Sequence, residues 1–570
     1  MFKIEEIRNL LLDQRDIEDI NIREHEKYKN KLYEILIYCN LSTDLEWIPI
    51  VIGIPLNWKQ NLVDVYLDIE DFPFIPHIDR DGKMCLYDLE GALIDWNFLG
   101  ILEQCIVRAR EIIILGLKGE NKVDFLLEFN SYFSILKNCK KAKVSMPDIK
   151  KNKKIKYCNL THGINSTDFF VSSELNDFKT WNIKSTEQNG IYFFIEPNEP
   201  IYPPDYNRGI DLEYLKSIFS YIEFSDFKKL CEKCRKECLM IFEIQQNNEI
   251  TNCFGVLIKG AIFEYSEKIS LIGFKELFPI VIERIDKSYI MNRTSSEDNL
   301  LKDKSYLLIG CGSIGGYVFY NLIKSGCENI TVVDYDFLKE ENIYRHLLGV
   351  ELVGESKTKA LLKYAKKTLP NLNIKSVNKK IEDVVKHGSI KFEEYDYIIS
   401  ATGNHNINRW INEYINEKRI ETSVFYIWNE PLDIGSHVAY ISFNNEGCYE
   451  CFFSRSKEGE LYDVTSYCEP KQKFVKSYLG CSETFIPYSS LISVKSATLF
   501  LDLLKKVIEG RVERNLLISE KGDDYYFKQA GLLVSEVYKN QNENIAILEG
   551  NKFVNCNCRM CIKNNEYSSQ

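Results

Sequence analysis

Three groups of residues in this chain have types and spacings suited to chemistry. The first is the glycine-rich turn Gly310-Cys311-Gly312-Ser313-Ile314-Gly315, which follows the apolar run Tyr306-Leu307-Leu308-Ile309. Glycines let a backbone turn tightly and approach phosphates, whose charge then sits at the N-terminus of the next helix. Asp334 comes 19 residues after Gly315, at the end of a second apolar run, Thr331-Val332-Val333. A carboxylate there can accept ribose hydroxyls. By itself this pattern describes a nucleotide or dinucleotide binder, and a glycine turn in an ordinary α/β domain also fits it. The second group is two C-x-x-C pairs, Cys448 with Cys451 and Cys558 with Cys561. Each pair suits half of a tetrahedral thiolate site, and four cysteines close a structural zinc site with no open position. The pairs are farther apart than in a zinc ribbon, so unligated core cysteines or a redox pair remain open, and Cys556 is a substitute ligand. The third group is Cys85 with His77, in Ile75-Pro76-His77-Ile78-Asp79-Arg80-Asp81-Gly82-Lys83-Met84-Cys85-Leu86. A lone cysteine and histidine are more often structural than catalytic.

The chain must be large enough to position all three groups. Its 570 residues allow about three domains by the rough rule of about 150 residues each. With 45% apolar and 27% charged residues it has the composition of an ordinary globular protein. A net charge of -11 argues against a nucleic-acid-binding surface. The longest uncharged apolar run, Trp47 to Leu56, is interrupted by proline and too short to span a membrane. The N-terminus has acidic residues and no apolar core of a secretory signal, so a cytoplasmic location is expected. The 18 cysteines are then expected to be mostly reduced, available to metal or catalysis or simply buried, as for Cys39, Cys139 and Cys158.

Residues 3 to 38 show helical spacing, and residues 47 to 70 alternate as strands, with Pro49 pushing the first toward a sheet edge. Trp96 to Gly116 reads as a long helix. Together these make an α+β unit, 1–140, with Cys85 on a loop. The lysine-rich stretch Lys137 to Lys156 reads as a linker. A mixed middle domain, 157–285, has a strand at Gly190 to Ile195 and helical periodicity from Asp211 to Ile222, with no chemical motif. From 289 to 570 strands and helices alternate, as a doubly wound α/β domain requires.

The third domain resembles the Rossmann-like adenylation domain of ubiquitin-activating enzymes and their ThiF/MoeB/HesA relatives. The resemblance rests on the glycine turn together with Asp334, Asp336, Asn342, Arg345 and Lys357 and the text around them. It implies that Gly310, Gly312, Gly315 and Asp334 hold ATP and that Arg345 and Lys357 meet its phosphates, with Asn342 helping to position them. Arg293 matches an arginine that usually reaches the partner subunit's site, which implies a homodimer. The segment Ser400 to Asn412 resembles the family's run ending in Arg-Trp-Ile-Asn, but the family's magnesium-linked aspartate falls on Gly403. Asp336 or Asn404 is left to share the Mg2+ role, or phosphates and water hold the ion. ThiF/MoeB-like domains also carry cysteine pairs at the two C-x-x-C places. Cys481 resembles their crossover-loop cysteine, the expected acyl acceptor, with Cys468 as the alternative or a direct transfer to Cys85.

The N-terminal segment resembles the active site of a ubiquitin-conjugating enzyme. Cys85 follows the Asp81-Gly82 turn, Leu86 comes next, and Trp96 stands about ten residues on. Most eukaryotic members have an asparagine eight residues before the cysteine, where it steadies a developing oxyanion. Here that residue is His77, and its ring could donate to the same oxygen.

The whole arrangement is similar to the fused activating–conjugating enzymes of bacterial CBASS anti-phage systems. The implied function is ATP-dependent adenylation of a partner protein's C-terminus, thioester capture, and transfer through Cys85 to an amine on a protein or small molecule. In CBASS the activated tail belongs to a cGAS-like nucleotidyltransferase. Two rival readings are a sulfur-carrier-activating adenylyltransferase and a nucleotide-binding scaffold without catalysis.

Overall fold

The computed structural model describes residues 4–561 except 44–45, 71, 88–93, 148–149, 161–166, 232–235, 248, 266–268, 293–299, 370–371, 475 and 478–483. The chain divides into two compact units, 1–290 and 291–570.

The first unit opens with helix Ile4–Asp13 and a four-stranded antiparallel sheet. The sheet order is Ile17–Glu24, Ile35–Ser42, Trp47–Ile54, Asp64–Leu67. Helical spacing therefore holds for the first ten residues only. Residues 35–42 form a strand because Ile35, Ile37, Cys39 and Leu41 alternate onto the core face and are rich in β-branched types. Pro49 does not make its strand an edge. It pairs with Asn40 on one side and lies beyond the end of the short strand Asp64–Leu67 on the other, so no ladder bond is lost. Helix Phe98–Lys118 covers the sheet with Leu102, Cys105, Ala109 and Ile113. Asn97 accepts a bond from the Gly100 N–H at its start, and Gly119 ends it in the left-handed conformation.

Two short helices, Asp124–Leu127 and Phe129–Ser134, lead into a closed seven-stranded barrel. Around the barrel the order is Gln188–Ile195, Glu237–Gln245, Thr251–Lys259, Glu276–Arg284, Lys140–Ser145, Phe169–Ser172, Lys153–Asn159. The lysine-rich stretch is thus not a linker but two barrel strands. Its apolar residues fall on alternate positions, so Ala142, Val144, Ile155 and Tyr157 enter the core while the intervening lysines stay at the surface.

The second unit is built on an eight-stranded sheet in the order Asn373–Val377, Asn329–Val333, Ser305–Ile309, Tyr397–Ser400, Ser423–Asn429, Gly435–Ile441, Leu516–Lys521, Ile545–Glu549. The first five strands are parallel and the last three join antiparallel. Both faces are covered. Helices Ser313–Lys324 and Ser490–Ile508 pack Phe319, Leu322, Phe500 and Leu504 on one, and Val384, Ile411 and Ile415 cover the other. This is the multidomain α/β and α+β architecture expected, with a doubly wound C-terminal domain. Among the described residues no helix is long and apolar enough to cross a membrane.

Candidate functional site

The strand Ser305–Ile309 delivers the chain to the glycine turn at the carboxyl end of the parallel sheet, where ligands bind in open α/β sheets. The three glycines have three different jobs. Gly310 has φ +89°, and a Cβ there would lie 2.9 Å from the Ala401 carbonyl oxygen. A Cβ at Gly315 would lie 1.9 Å from the Gly310 oxygen, so only glycine lets the helix start this close to the turn. A Cβ at Gly312 would meet nothing within 4 Å, which leaves the rim of the turn open.

Asp334 fastens the turn from the side. Its carboxylate accepts from the Cys311 N–H at 2.6 Å and the Asp336 N–H at 2.8 Å. A carboxylate has about four acceptor positions, so two remain for a ribose. Lys357 is nearly buried and pairs with Asp336 at 3.0 Å. Asp336 is half exposed, so an incoming phosphate can compete with it for the lysine. The Arg345 guanidinium lies 5.3 Å from the centre of the Tyr488 ring. Among the described residues no carboxylate pairs with it. Its carbonyl accepts from the Ser313 hydroxyl, which ties it to the start of the helix after the glycine turn. Asn342 uses its side-chain oxygen to accept from the Lys339 N–H. Gly403 has φ +62° with open space where a Cβ would stand, and Asn404 is spent capping helix His405–Lys418. Asp336 stands at the cradle paired with Lys357.

One member of the cradle was not legible in the sequence. His346 is buried, and its Nδ1 accepts from the Leu348 N–H at 3.1 Å. That fixes the tautomer, so Nε2 donates to the Cys311 carbonyl at 2.7 Å. Burial holds its pKa below the usual histidine value, partly offset by the Cys311 bond. His346 adjoins Arg345 in the chain, but no motif marked it.

The two C-x-x-C pairs meet. The Sγ separations are 3.9 Å for Cys448–Cys451, 3.6 Å for Cys448–Cys558, 3.7 Å for Cys448–Cys561 and 3.5 Å for Cys451–Cys561. A zinc–sulfur bond of about 2.3 Å gives a tetrahedron with edges of about 3.8 Å, so the four thiols fit the ion. Cys556 is exposed and outside the cluster. The Arg409 to Asn412 motif anchors this site to the cradle's last parallel strands. Arg409 grips Glu450 with bonds of 2.7 and 2.8 Å, Asn412 accepts from the Tyr449 N–H, and Asn408 donates to the Tyr449 hydroxyl.

In the first unit Cys85 is exposed and lines a cavity of about 480 Å³. Its N–H donates to the His77 carbonyl at 2.8 Å. His77 has φ +66°, a left-handed conformation. Its N–H donates to the Tyr132 hydroxyl at 2.6 Å, which in turn donates to Glu128 at 2.7 Å. The ring is held on both sides, Nδ1 at 3.0 Å from Glu128 and Nε2 at 2.9 Å from Asp124. Carboxylates thus occupy both ring nitrogens in this arrangement, where donation to an oxyanion was expected. The Glu128 bond pushes the His77 pKa up, burial opposes it, and Asp124 adds to the rise. Asp124, Glu128 and Tyr132 escaped the sequence reading because they lie on short helices remote in sequence from Cys85. The second of those helices rests on the barrel, where Phe129 and Phe133 pack tilted against Phe254 at 5.7 and 4.7 Å. Trp96 is exposed and lies under the Lys59 ammonium.

Cys481 and Arg293 lie outside the described residues. Cys468 is buried beside Glu430, whose carboxylate accepts from its N–H, and burial first and that carboxylate second push the thiol well up. A thiol so placed is a poor nucleophile.

Residues 11–142 match prokaryotic E2 family B, and residues 289–520 match the ThiF family. The chain is an E2-like domain fused to a ThiF domain. It is similar to the ATP-dependent ubiquitin transferase-like protein Cap2 of Pseudomonas aeruginosa, 23% identical over 76% of this chain and 80% of that protein. The adenylyltransferase and sulfurtransferase UBA4 of Vanderwaltozyma polyspora is 26% identical over 30% of this chain and 39% of its own length. Among solved structures, E. coli MccB with MccA is 18% identical, covering 46% of this chain and 68% of that one at a TM-score of 0.34.

Proposed function

We propose that this chain carries out ATP-dependent ubiquitin-like conjugation. Its ThiF domain adenylates the C-terminal carboxylate of a partner protein with release of pyrophosphate. The acyl group passes to a cysteine thioester, then to Cys85, and finally to an amine as an amide. The observation that carries this reading is the pairing in one chain of an open phosphate cradle with an exposed, clamped cysteine. Neither half alone implies both steps.

The cradle's part is electrostatic. Negative charge grows on the α-phosphate and on departing pyrophosphate, and Arg345 and Lys357 are placed to meet it. Asp334 holds the turn and retains acceptor capacity for the ribose. Bound Mg2+ neutralises phosphate charge, with Asp336 as its candidate carboxylate. Zinc at Cys448, Cys451, Cys558 and Cys561 is structural, since four thiolates leave no open position.

Cys481 is the proposed activating cysteine. Two facts favour it over Cys468: the burial of Cys468, and the position of Tyr488, seven residues beyond Cys481, at the Arg345 guanidinium. Arg293 is proposed to complete the partner subunit's cradle in a homodimer. By the resemblance of its sequence to the fused activating–conjugating enzymes of CBASS anti-phage systems, the activated tail is proposed to be that of a cGAS-like nucleotidyltransferase. The final acceptor is an amine on a protein or small molecule, and the location is cytoplasmic. The likeness to UBA4 favours sulfur-carrier activation as a second reading, but the E2-like domain has no task in it.

The test is ATP–pyrophosphate exchange followed by a search for thiol-sensitive adducts with the partner. Cys481→Ala should still exchange pyrophosphate but fail to load Cys85. Cys85→Ala should stall with the adduct on Cys481. Undiminished product from Cys85→Ala would make the N-terminal domain a docking module.

A further inference from the structure

Beside Cys85 lies a second charge cluster that the proposed transfer does not use. Asp64 is 7% exposed and lines the same cavity as Lys31, Lys83 and Cys85. Its Oδ2 accepts from the Lys31 ammonium at 2.5 Å and the Tyr33 hydroxyl at 2.6 Å, and its Oδ1 meets the Lys83 ammonium at 2.9 Å. Tyr33 and Tyr66 share a further bond of 2.6 Å. Gly53 makes room for this, since a Cβ there would stand 2.5 Å from the Tyr33 ring. Burial alone would raise the Asp64 pKa, but the bonds from Lys31, Tyr33 and Lys83 outweigh it and hold the carboxyl below its usual range. Burial pulls the Lys83 pKa down, yet Asp64, then Tyr66 and Asp79, push it above the ordinary lysine value.

Lys83 and Cys85 lie on one face of the chain. Burial alternates from half-buried Lys83 to buried Met84, exposed Cys85 and buried Leu86, and Lys83 bridges to Tyr66. Two residues along an extended chain span about 6.6 Å, within the reach of a lysine side chain. A primary amine there competes with any acceptor for an acyl group on Cys85. In that side reaction the neutral Lys83 nitrogen attacks the thioester carbonyl carbon. A C–N bond forms, the C–S bond breaks, Cys85 leaves as thiolate, and the amine proton goes to solvent. An ammonium bound to a carboxylate has no lone pair for this.

We propose that Asp64 is a guard, tying down the Lys83 ammonium so that the enzyme's own lysine does not intercept the acyl group carried by Cys85. The proposal rests on Cys85 being a thioester carrier, so its test has an arm that needs no thioester. The intact chain is labelled with trace acetic anhydride between pH 8 and 10.5, and Lys83 is followed by mass spectrometry against the exposed Lys457. Lys83 should lag, and Asp64→Asn should speed its labelling by about fivefold or more at pH 9, a tenfold change matching one pKa unit. Labelling of wild-type Lys83 in step with Lys457 overturns the guard however the variant folds. In the second arm, Asp64→Asn supplied with ATP and partner should accumulate a thiol-resistant self-adduct at Lys83, lost on adding Lys83→Arg or Cys85→Ala. A variant that loads Cys85 yet forms no self-adduct overturns the proposal. A wild-type chain that never loads Cys85 refutes the thioester reading instead, and the labelling arm still decides the guard.

Discussion

The surroundings of Cys85 and those of the glycine turn handle charge in opposite ways. His77 lies between Asp124 and Glu128, and Asp64 lies between Lys31 and Lys83, with each pair closed at 3.0 Å or less. At the glycine turn Arg345 faces only the Tyr488 ring among the described residues, and Lys357 has one half-exposed partner. On the proposed function, the difference follows from the ligands. A phosphate brings its own charge, so a cradle for it holds cations in reserve. A thioester is neutral and electrophilic, and stray nucleophiles or bases beside it are a hazard, so its neighbours are paired with one another.

This contrast makes its largest prediction at Arg345. Arg345→Ala should cut pyrophosphate exchange by about 10²-fold or more, on the scale of ~3 kcal/mol for a lost charge-stabilising donor. The melting temperature should hardly change, because no ion pair among the described residues is broken. Normal exchange in this variant would refute the phosphate assignment.

The four cysteines are the extreme of a committed site. Chelation should lower the melting temperature of the 291–570 unit by several degrees, since metal binding there is folding energy. Elemental analysis should find one zinc per chain, and a zinc-free protein of unchanged stability would refute the site.

The smallest effect distinguishes the two histidines. His77 is raised by its carboxylates, so its contribution to stability is complete below about pH 6.5 and fades as pH rises through its folded value. His346 is lowered by burial, so its contribution is complete above about pH 6.5 and fades as pH falls through its folded value. NMR titration of the two imidazoles should therefore give midpoints on opposite sides of 6.5. Glu128→Gln should move only the His77 midpoint, downward. Coinciding midpoints would erase the comparison.

Much of the second unit was legible because its signals are local. A strand, a glycine turn, a helix and a carboxylate at the end of the next strand fall in one stretch of chain, and the C-x-x-C pairs announce themselves. What escaped depends on distant partners. The Asp124, Glu128 and Tyr132 clamp meets His77 from distant sequence, and Phe129 and Phe133 seat the helix bearing Tyr132 on the barrel. The barrel itself was missed at Lys140–Asn159, where lysines on the outer positions masked a period of two that Ala142, Val144, Ile155 and Tyr157 obey. His346 gave no sign because its work is done by one ring between two backbone groups.

The positive φ of His77 bears on which residues can be exchanged at that position. Few side chains other than glycine sit comfortably in the left-handed region, and asparagine, aspartate and histidine are the most tolerant. Most eukaryotic conjugating enzymes, which this segment resembles, carry asparagine here. Asparagine and histidine share little as acids or bases, but they share this backbone habit. Holding residue 77 in that turn presents its carbonyl to the Cys85 N–H. Histidine at position 77 is thus a residue type that tolerates this bend, while its ring is held by Asp124 and Glu128. A β-branched residue of similar bulk would lose the bend, and with it the seat of the thiol.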